Sequence, residues 1–199
     1  MNRKTKILWL LLPAIVAADI ATKWWAQQAL QRGRSVFLLE RWLGDGLPLT
    51  LTYNTGAAFS INVGEASRWF FLVVSIFALG LIAWMYAEAK ERDTLRLGAL
   101  ALVAAGAIGN LIDRVRWDRG VVDFIGPVDL GFMRWPIFNV ADSAVTVGAI
   151  LLVISLYAED RTLKRAAAAV LEDDAGSATG GGEPAPGAVA EESLEGGGA

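Results

Sequence analysis

Four stretches of the chain are long, apolar and almost free of charge. The first runs from Ile7 to Ala18 and continues, less cleanly, to about Ala29. The second, Trp69 to Ala87, has 19 residues and no charge, and the third, Leu97 to Ile112, has 16 and none. The fourth begins at Val140 and reaches Ala158, with one acid, Asp142, near its start. Crossing about 30 Å of hydrocarbon takes about 20 helical residues. The second and fourth stretches meet that length directly. The first and third meet it if their polar ends sit in the interface or face a bundle interior. The pattern therefore predicts an α-helical membrane protein, a four-transmembrane-helix bundle with spans at about 7–27, 69–87, 95–112 and 140–158. A cleaved signal peptide is the other reading of the N-terminus, since Arg3, Lys4 and Lys6 precede an apolar stretch and the small residues Ala17 and Ala18. Three further spans favour a retained first helix. They also disfavour reading the third stretch as the buried helix of a soluble protein.

The segments between spans, about 30–68 and 113–139, carry a different period. Leu47, Leu49, Leu51 and Tyr53 alternate with Pro48, Thr50 and Thr52, the mark of a half-buried strand. Asn54-Thr55-Gly56 then breaks the run, with Gly56 free to take positive φ. Val121 to Ile125 is a second strand-like run. A small β-sheet on the outer membrane surface is expected from these two.

Charge divides the chain in two. Residues 166–199 hold seven acids and no base, in a Gly, Ala, Pro and Ser background, which leaves 14 acids against 18 bases in residues 1–165. Such a tail lacks the apolar surface to offset ordering entropy, so disorder is expected from about Asp173. The net charge of −3 thus belongs to the tail, and the membrane-spanning part, 1–165, carries a surplus of four positive charges. Bases flanking the spans number nine on each side, so their total does not orient the bundle. Their density does: three fall in the first six residues and three in the nine-residue loop 88–96. That places both termini in the cytoplasm. Trp24, Trp25, Trp42, Trp69, Trp117 and Trp135 then gather at the outer interface, where aromatic belts form.

The 199 residues include no cysteine and no histidine. Disulfides, thiol nucleophiles, Cys/His zinc sites and His-based triads are excluded. No cofactor or metal is expected. Hydrolytic chemistry must use carboxylates, hydroxyls, amides, Lys or Arg. Acids in or beside apolar runs are the informative ones, because ionised groups there are costly and usually functional. Asp19 stands four residues before Lys23, on one helical face, and reads as a structural pair. Asp113 adjoins Arg114 and lies near Arg116, which are expected to pair with it. Asp123 and Asp142 have no immediate basic neighbour. Two carboxylates brought together in a poorly hydrated site share a proton, so one can activate water while the other protonates the carbonyl or leaving amine. A simpler reading leaves Asp142 as a helix cap and Asp123 as a surface strand residue.

Five motifs occur in order along this scaffold: Asp19-Ile-Ala-Thr-Lys23, Asn54-Thr-Gly-Ala-Ala-Phe59, Gly109-Asn-Leu-Ile-Asp-Arg114, Val122-Asp-Phe124 and Phe138-Asn-Val-Ala-Asp-Ser143. Together they resemble the lipoprotein signal peptidases (signal peptidase II), over about residues 1–160. The resemblance implies a multi-pass aspartic endopeptidase of the bacterial inner membrane. Its substrates would be diacylglyceryl-modified prolipoproteins, cut just before the lipid-modified cysteine. It implies Asp123 and Asp142 as catalytic residues, with Asp19, Lys23, Asn54, Gly56, Asn110, Arg114 and Asn139 in support. Membrane lipids would be neighbours, nucleic acid would not be a partner, and a monomer is expected. Two other readings stay open on the residues alone. One is a Ser–Lys hydrolase with Lys23 activating Ser60 or Ser143. The other is a non-enzymatic membrane protein that uses Asp19 and Asp142 as a proton relay.

Overall fold

The computed structural model describes residues 1–38, 46–56 and 67–179. The chain divides into two units, Met1–Tyr157 and Ala158–Ala199. In the first unit, α1 (Arg3–Ala29) leads into β1 (Ser35–Leu38) and β2 (Leu47–Asn54), and α2 (Ser67–Glu88) and α3 (Thr94–Arg116) follow. Then come β3 (Val121–Ile125), β4 (Val128–Asp129) and β5 (Arg134–Trp135), and α4 (Val140–Thr179) closes the described chain. Four helices are long and apolar enough to cross a membrane: Arg3–Ala29, Arg68–Glu88, Thr94–Arg116 and Val140–Ala169. The four apolar stretches thus become four helices, each somewhat longer than the hydrophobic run alone.

Both alternating segments are strands, and they pair with each other. β2 lies between β1 and β3 in an antiparallel sheet, with Thr52 opposite Asp123 and Asn54 opposite Val121. A register shift between Leu49 and Thr52 marks a bulge. β4 and β5 form a separate two-stranded ribbon, and β1, β4 and β5 had no clear alternating signal. The sheet rests on the end of α1: Ala26 and Leu30 pack with Leu49, Leu51, Val122 and Phe124 in one buried cluster. Side chains alternate along a strand, so Val122 and Phe124 facing this core send Asp123 to the opposite face. That face is covered too, and all of Val121–Phe124 is buried.

At the far end, the start of α1 meets the end of α2. Lys4 Nζ donates to the Ala87 carbonyl at 2.8 Å, and Tyr86 Oη donates to the Lys4 carbonyl at 2.8 Å. Asp93 caps α3 by accepting from the Arg96 amide at 2.9 Å. α3 runs against α4 through glycines. A Cβ on Gly106 would collide with the Ala141 carbonyl oxygen, and one on Gly148 would come 2.7 Å from Val103 Cγ2. A glycine on each helix, Gly106 on α3 and Gly148 on α4, therefore lets the two pack closely.

In the second unit, the helix is exposed and carries a Lys164–Asp160 ion pair at 2.7 Å. It is helical through Thr179, beyond the point near Asp173 at which composition predicts loss of structure. Residues 180–199, with most of the acidic tail, lie outside the described residues, as do Arg41, Trp42, Phe59 and Ser60.

Candidate active site

The site forms where α1, α3, β3 and the start of α4 converge. Asn139 opens α4 and caps it in a reciprocal box. Its side-chain Oδ1 accepts from the Asp142 amide at 2.8 Å, and Asp142 Oδ2 accepts from the Asn139 amide at 3.1 Å. Asp142 is thus a capping residue, as the simpler sequence reading has it, but through one oxygen only. Its Oδ1 points the other way and accepts from Asn110 Nδ2 at 2.7 Å. Asp123 is 1 % exposed, so the surface-strand reading fails. Its Oδ1 accepts from Asn139 Nδ2 at 2.7 Å, and the Asn54 side chain donates to it as well. One asparagine, Asn139, therefore bridges the two aspartates.

The orientation of each amide is fixed by a group that can only donate. Asn139 turns Oδ1 to the Asp142 N–H, so its NH2 faces Asp123. Asn54 turns Oδ1 to the Gly56 N–H at 2.8 Å, which leaves its NH2 for Asp123. Gly56 holds φ of 110°, and a Cβ there would collide with the Phe71 ring, so glycine is required in both respects. Asn110 turns Oδ1 to Lys23 Nζ at 3.0 Å, which leaves its NH2 for Asp142. Three asparagines from three motifs all present N–H to the carboxylates.

Behind them lies a second group of acids. Lys23 Nζ pairs with Asp19 Oδ2 at 2.7 Å and with Asp113 Oδ2 at 3.0 Å. With Asn110 these contacts use all three ammonium donors. Asp19 and Lys23 are 0 % and 2 % exposed. Asp19 Oδ1 accepts from the Ala141 amide at 2.9 Å, and Asp113 Oδ2 accepts from the Val122 amide at 3.1 Å. The Lys23 cluster thereby ties α1 and α3 to the residues preceding Asp142 and Asp123. The sequence neighbours Arg114 and Arg116 are not the partners of Asp113, as expected from adjacency. In a helix, consecutive residues point apart, and Arg114 instead donates to the Asn110 carbonyl at 3.2 Å and lies 5.7 Å from the Phe71 ring centre. Its charge still acts on Asp142 and Asp123.

Two supporting features carried no signal that spacing reasoning used. Gly109 makes room for the cluster: a Cβ there would lie 2.6 Å from Asp19 Oδ2. Arg68 braces the end of α3, donating through Nε to the Arg114 carbonyl at 2.7 Å and through a terminal nitrogen to that of Val115 at 2.9 Å.

Electrostatically the aspartates are distinctive. Among the described residues, no cation is in ion-pair contact with Asp123 or Asp142. Burial, and then the charge of Asp142, push the Asp123 carboxyl up to about 7, against the pull of Asn54, Asn139 and the more distant Lys23. Asp123 therefore holds a proton into the neutral range. A cavity of about 290 Å³ opens beside Asp142, walled by Trp135, Phe138, Ser143, Thr146 and Val147. Among the described residues Ser143 is not prepared as a nucleophile: its Oγ donates to the Asn139 carbonyl at 3.0 Å, and Lys23 is engaged by Asp19, Asp113 and Asn110.

The profile of the family described as signal peptidase (SPase) II matches residues 11–158. The chain belongs to that family. It is accordingly a protease, built on helices that cross a bacterial membrane several times, and the proton-relay reading falls. The lipoprotein signal peptidase of Hydrogenovibrio crunogenus is 41 % identical over 152 residues, covering 75 % of this chain and 83 % of that one. That of Pseudomonas syringae pv. tomato is 38 % identical over 161 residues, covering 79 % and 90 %. A solved bacterial membrane enzyme, obtained by the in meso method, superposes with a TM-score of 0.65 at 33 % identity, over 75 % of this chain and 91 % of that one.

Proposed function

We propose that this signal peptidase removes signal peptides from diacylglyceryl-modified prolipoproteins, cutting before the lipid-modified cysteine. Asp123 and Asp142 activate the water. The observation that carries the reading is the Asn139 bridge: two carboxylates, one of them buried to 1 % exposure, joined through one asparagine, with no ammonium or guanidinium in ion-pair contact among the described residues.

The chemistry follows from the proton held near neutrality. Asp142 takes a proton from water as the oxygen attacks the scissile carbonyl, while Asp123 supplies its proton to the carbonyl oxygen. The tetrahedral intermediate then collapses, with Asp142 returning its proton to the leaving amine. Asn110, Asn139 and Asn54 hold the carboxylates in place, with Gly56 setting the angle of Asn54. Arg114, beyond its bond to the Asn110 carbonyl, has further N–H groups to offer a substrate or lipid oxygen. Asp19 and Lys23 hold the helices around the site. The cavity beside Asp142 seats apolar substrate; a separate groove of about 380 Å³, walled by Leu8, Leu12, Leu79, Ile82, Ala104 and Ile108, lies among α1, α2 and α3.

Both termini lie in the cytoplasm in this reading, and the site faces the outer side of the inner membrane. The protein works as a monomer. The acidic segment 166–199 lies on the cytoplasmic side and takes no part in the reaction, so deletion from Asp174 leaves cleavage intact.

The test is purified full-length protein incubated with a diacylglyceryl-modified precursor and with the same precursor lacking the lipid. Cleavage of the first alone is expected. Equal cleavage of both would overturn the substrate assignment, and an active Asp142→Asn variant would overturn the aspartic mechanism.

A further inference from the structure

Away from the aspartates, on the other side of Lys23, a groove of about 740 Å³ runs between α1 and the end of α3. Its α1 wall is a single helical stripe in which Ala17, Ile20, Ala21, Trp24, Gln27 and Gln28 recur at intervals of three and four. The stripe changes character along its length. Ala17, Ile20 and Ala21 are apolar and exposed, Trp24 is 64 % exposed, and the two glutamines follow. From Ala17 to Gln27 is ten residues, or about 15 Å of helix.

The opposite wall supplies positive charge at the glutamine end. Arg116 and Arg119 both line the groove, their guanidinium carbons 5.1 Å and 4.7 Å from the centre of the same Trp117 ring. Arg119 also stacks over Tyr53 at 4.4 Å and donates to Gln27 Oε1, which fixes its direction. Among the described residues neither arginine has a carboxylate partner. The two acids close by are engaged: Asp113, in the groove wall, pairs with Lys23, and Asp118 pairs with Arg68. Two guanidiniums with no carboxylate partner among the described residues thus stand at the polar end of an apolar groove on a membrane-spanning helix.

We infer that this groove holds one anionic phospholipid, its phosphate between Arg116 and Arg119 and an acyl chain along Ala21, Ile20 and Ala17. Guanidinium recognises phosphate oxygens by charge-assisted hydrogen bonds. Trp24 and Trp117 fit the level between headgroup and chain, where amphipathic rings settle. The polarity gradient selects a lipid over free phosphate, since phosphate alone leaves the lower half of the groove to no purpose. The site is separate from the aspartates and does not depend on the proposed reaction.

Native mass spectrometry of the full chain, released from mixtures of phosphatidylglycerol and phosphatidylcholine with identical chains, tests it. Phosphatidylglycerol should be retained about tenfold more than phosphatidylcholine. The double variant Arg116→Gln/Arg119→Gln should bring the two lipids to parity. Diffuse attraction of surface arginines for anionic lipid is separated by Ala21→Trp, which fills the apolar floor and leaves the charge unchanged. That variant should lose the bound lipid, and it keeps the test decisive if the double variant does not fold. Equal retention by the native chain, undiminished preference in the double variant, or full retention in Ala21→Trp would each overturn the site. Displacement of the lipid by millimolar inorganic phosphate would overturn it in favour of a free-phosphate ligand.

Discussion

Asp19 and Asp113 share an ammonium; Asp123 and Asp142 share an amide. Asp19 and Asp123 are buried alike, at 0 % and 1 % exposure, and the two groups touch through a single residue, Asn110. Lys23 spends its three donors on Asp19, Asp113 and Asn110, so one positive charge stands between two carboxylates. Around Asp123 and Asp142 the donors are neutral asparagines and one backbone amide, which orient a carboxylate without supplying a counter-charge. Burial is therefore not what separates the two groups of acids here. The partner is. An ammonium gives its carboxylates a counter-charge, whereas an amide gives a donor without one.

The comparison breaks most sharply at Asp123 and Asp142, the pair proposed to be reactive. Asp123→Asn and Asp142→Asn each keep side-chain volume and remove the shared proton. Each should lower kcat by about a thousandfold or more, with the thermal midpoint within a few degrees of the native chain. A lipid-modified precursor followed by mass spectrometry gives the rate, and calorimetry gives the midpoint. Activity near the native level in either variant would mean the amide-bridged acids are not the reactive ones.

The same substitution logic applied to the other group should move stability. Lys23→Met leaves two buried carboxylates facing each other without a counter-charge. A loss of about 3–5 kcal/mol is expected in denaturant unfolding. Asp123→Asn should show nothing comparable, and similar destabilisation in both would erase the distinction between the groups. A smaller effect is expected from Gly109→Ala, whose Cβ would lie 2.6 Å from Asp19 Oδ2. Overpacking of that kind costs about 1–3 kcal/mol and acts first on the ammonium cluster.

Much of this arrangement is legible in the sequence, and the limits have physical causes. The four spans follow from length and charge, because hydrocarbon thickness is a strong constraint on sequence. β2 and β3 follow from side-chain alternation, but β4 and β5, at two residues each, are too short to carry a period. Asp19 and Lys23 are readable as a pair because four residues on a helix share a face. The partner of Asp113 is not readable, because Lys23 is 90 residues away and only helix packing brings it there. The capping role of Asp142 is local, and its second oxygen is not: Asn110 reaches it from another helix. The motifs mark which residues matter, whereas the direction of each amide becomes visible only once its donor-only neighbour is in place.

The finest test concerns one of those amides. Burial and the neighbouring charge raise the Asp123 carboxyl from 3.8 to about 7, and the Asn54 hydrogen bond opposes them. Between pH 3.8 and about 7 the folded chain then holds a proton that the unfolded chain has released. By linkage, this group makes stability fall as pH rises through that window. The activity that needs the proton should fall along an alkaline limb near pH 7. Asn54→Ala removes a donor that favours the ionised form, so the proton should be held to higher pH. One neutral hydrogen bond contributes about 1 kcal/mol, and one pH unit corresponds to about 1.4 kcal/mol. The alkaline limb of kcat/KM should therefore move upward by about half a unit to one unit, whatever happens to the maximal rate. A limb that stays in place or moves downward would show that Asn54 does not donate to Asp123. The parallel variant Lys23→Arg keeps the positive charge beside Asp19 and Asp113, and it should leave the limb within about 0.3 unit of its native position. A shift there as large as that of Asn54→Ala would mean that the two groups titrate together, and that the amide between them transmits charge rather than only orientation.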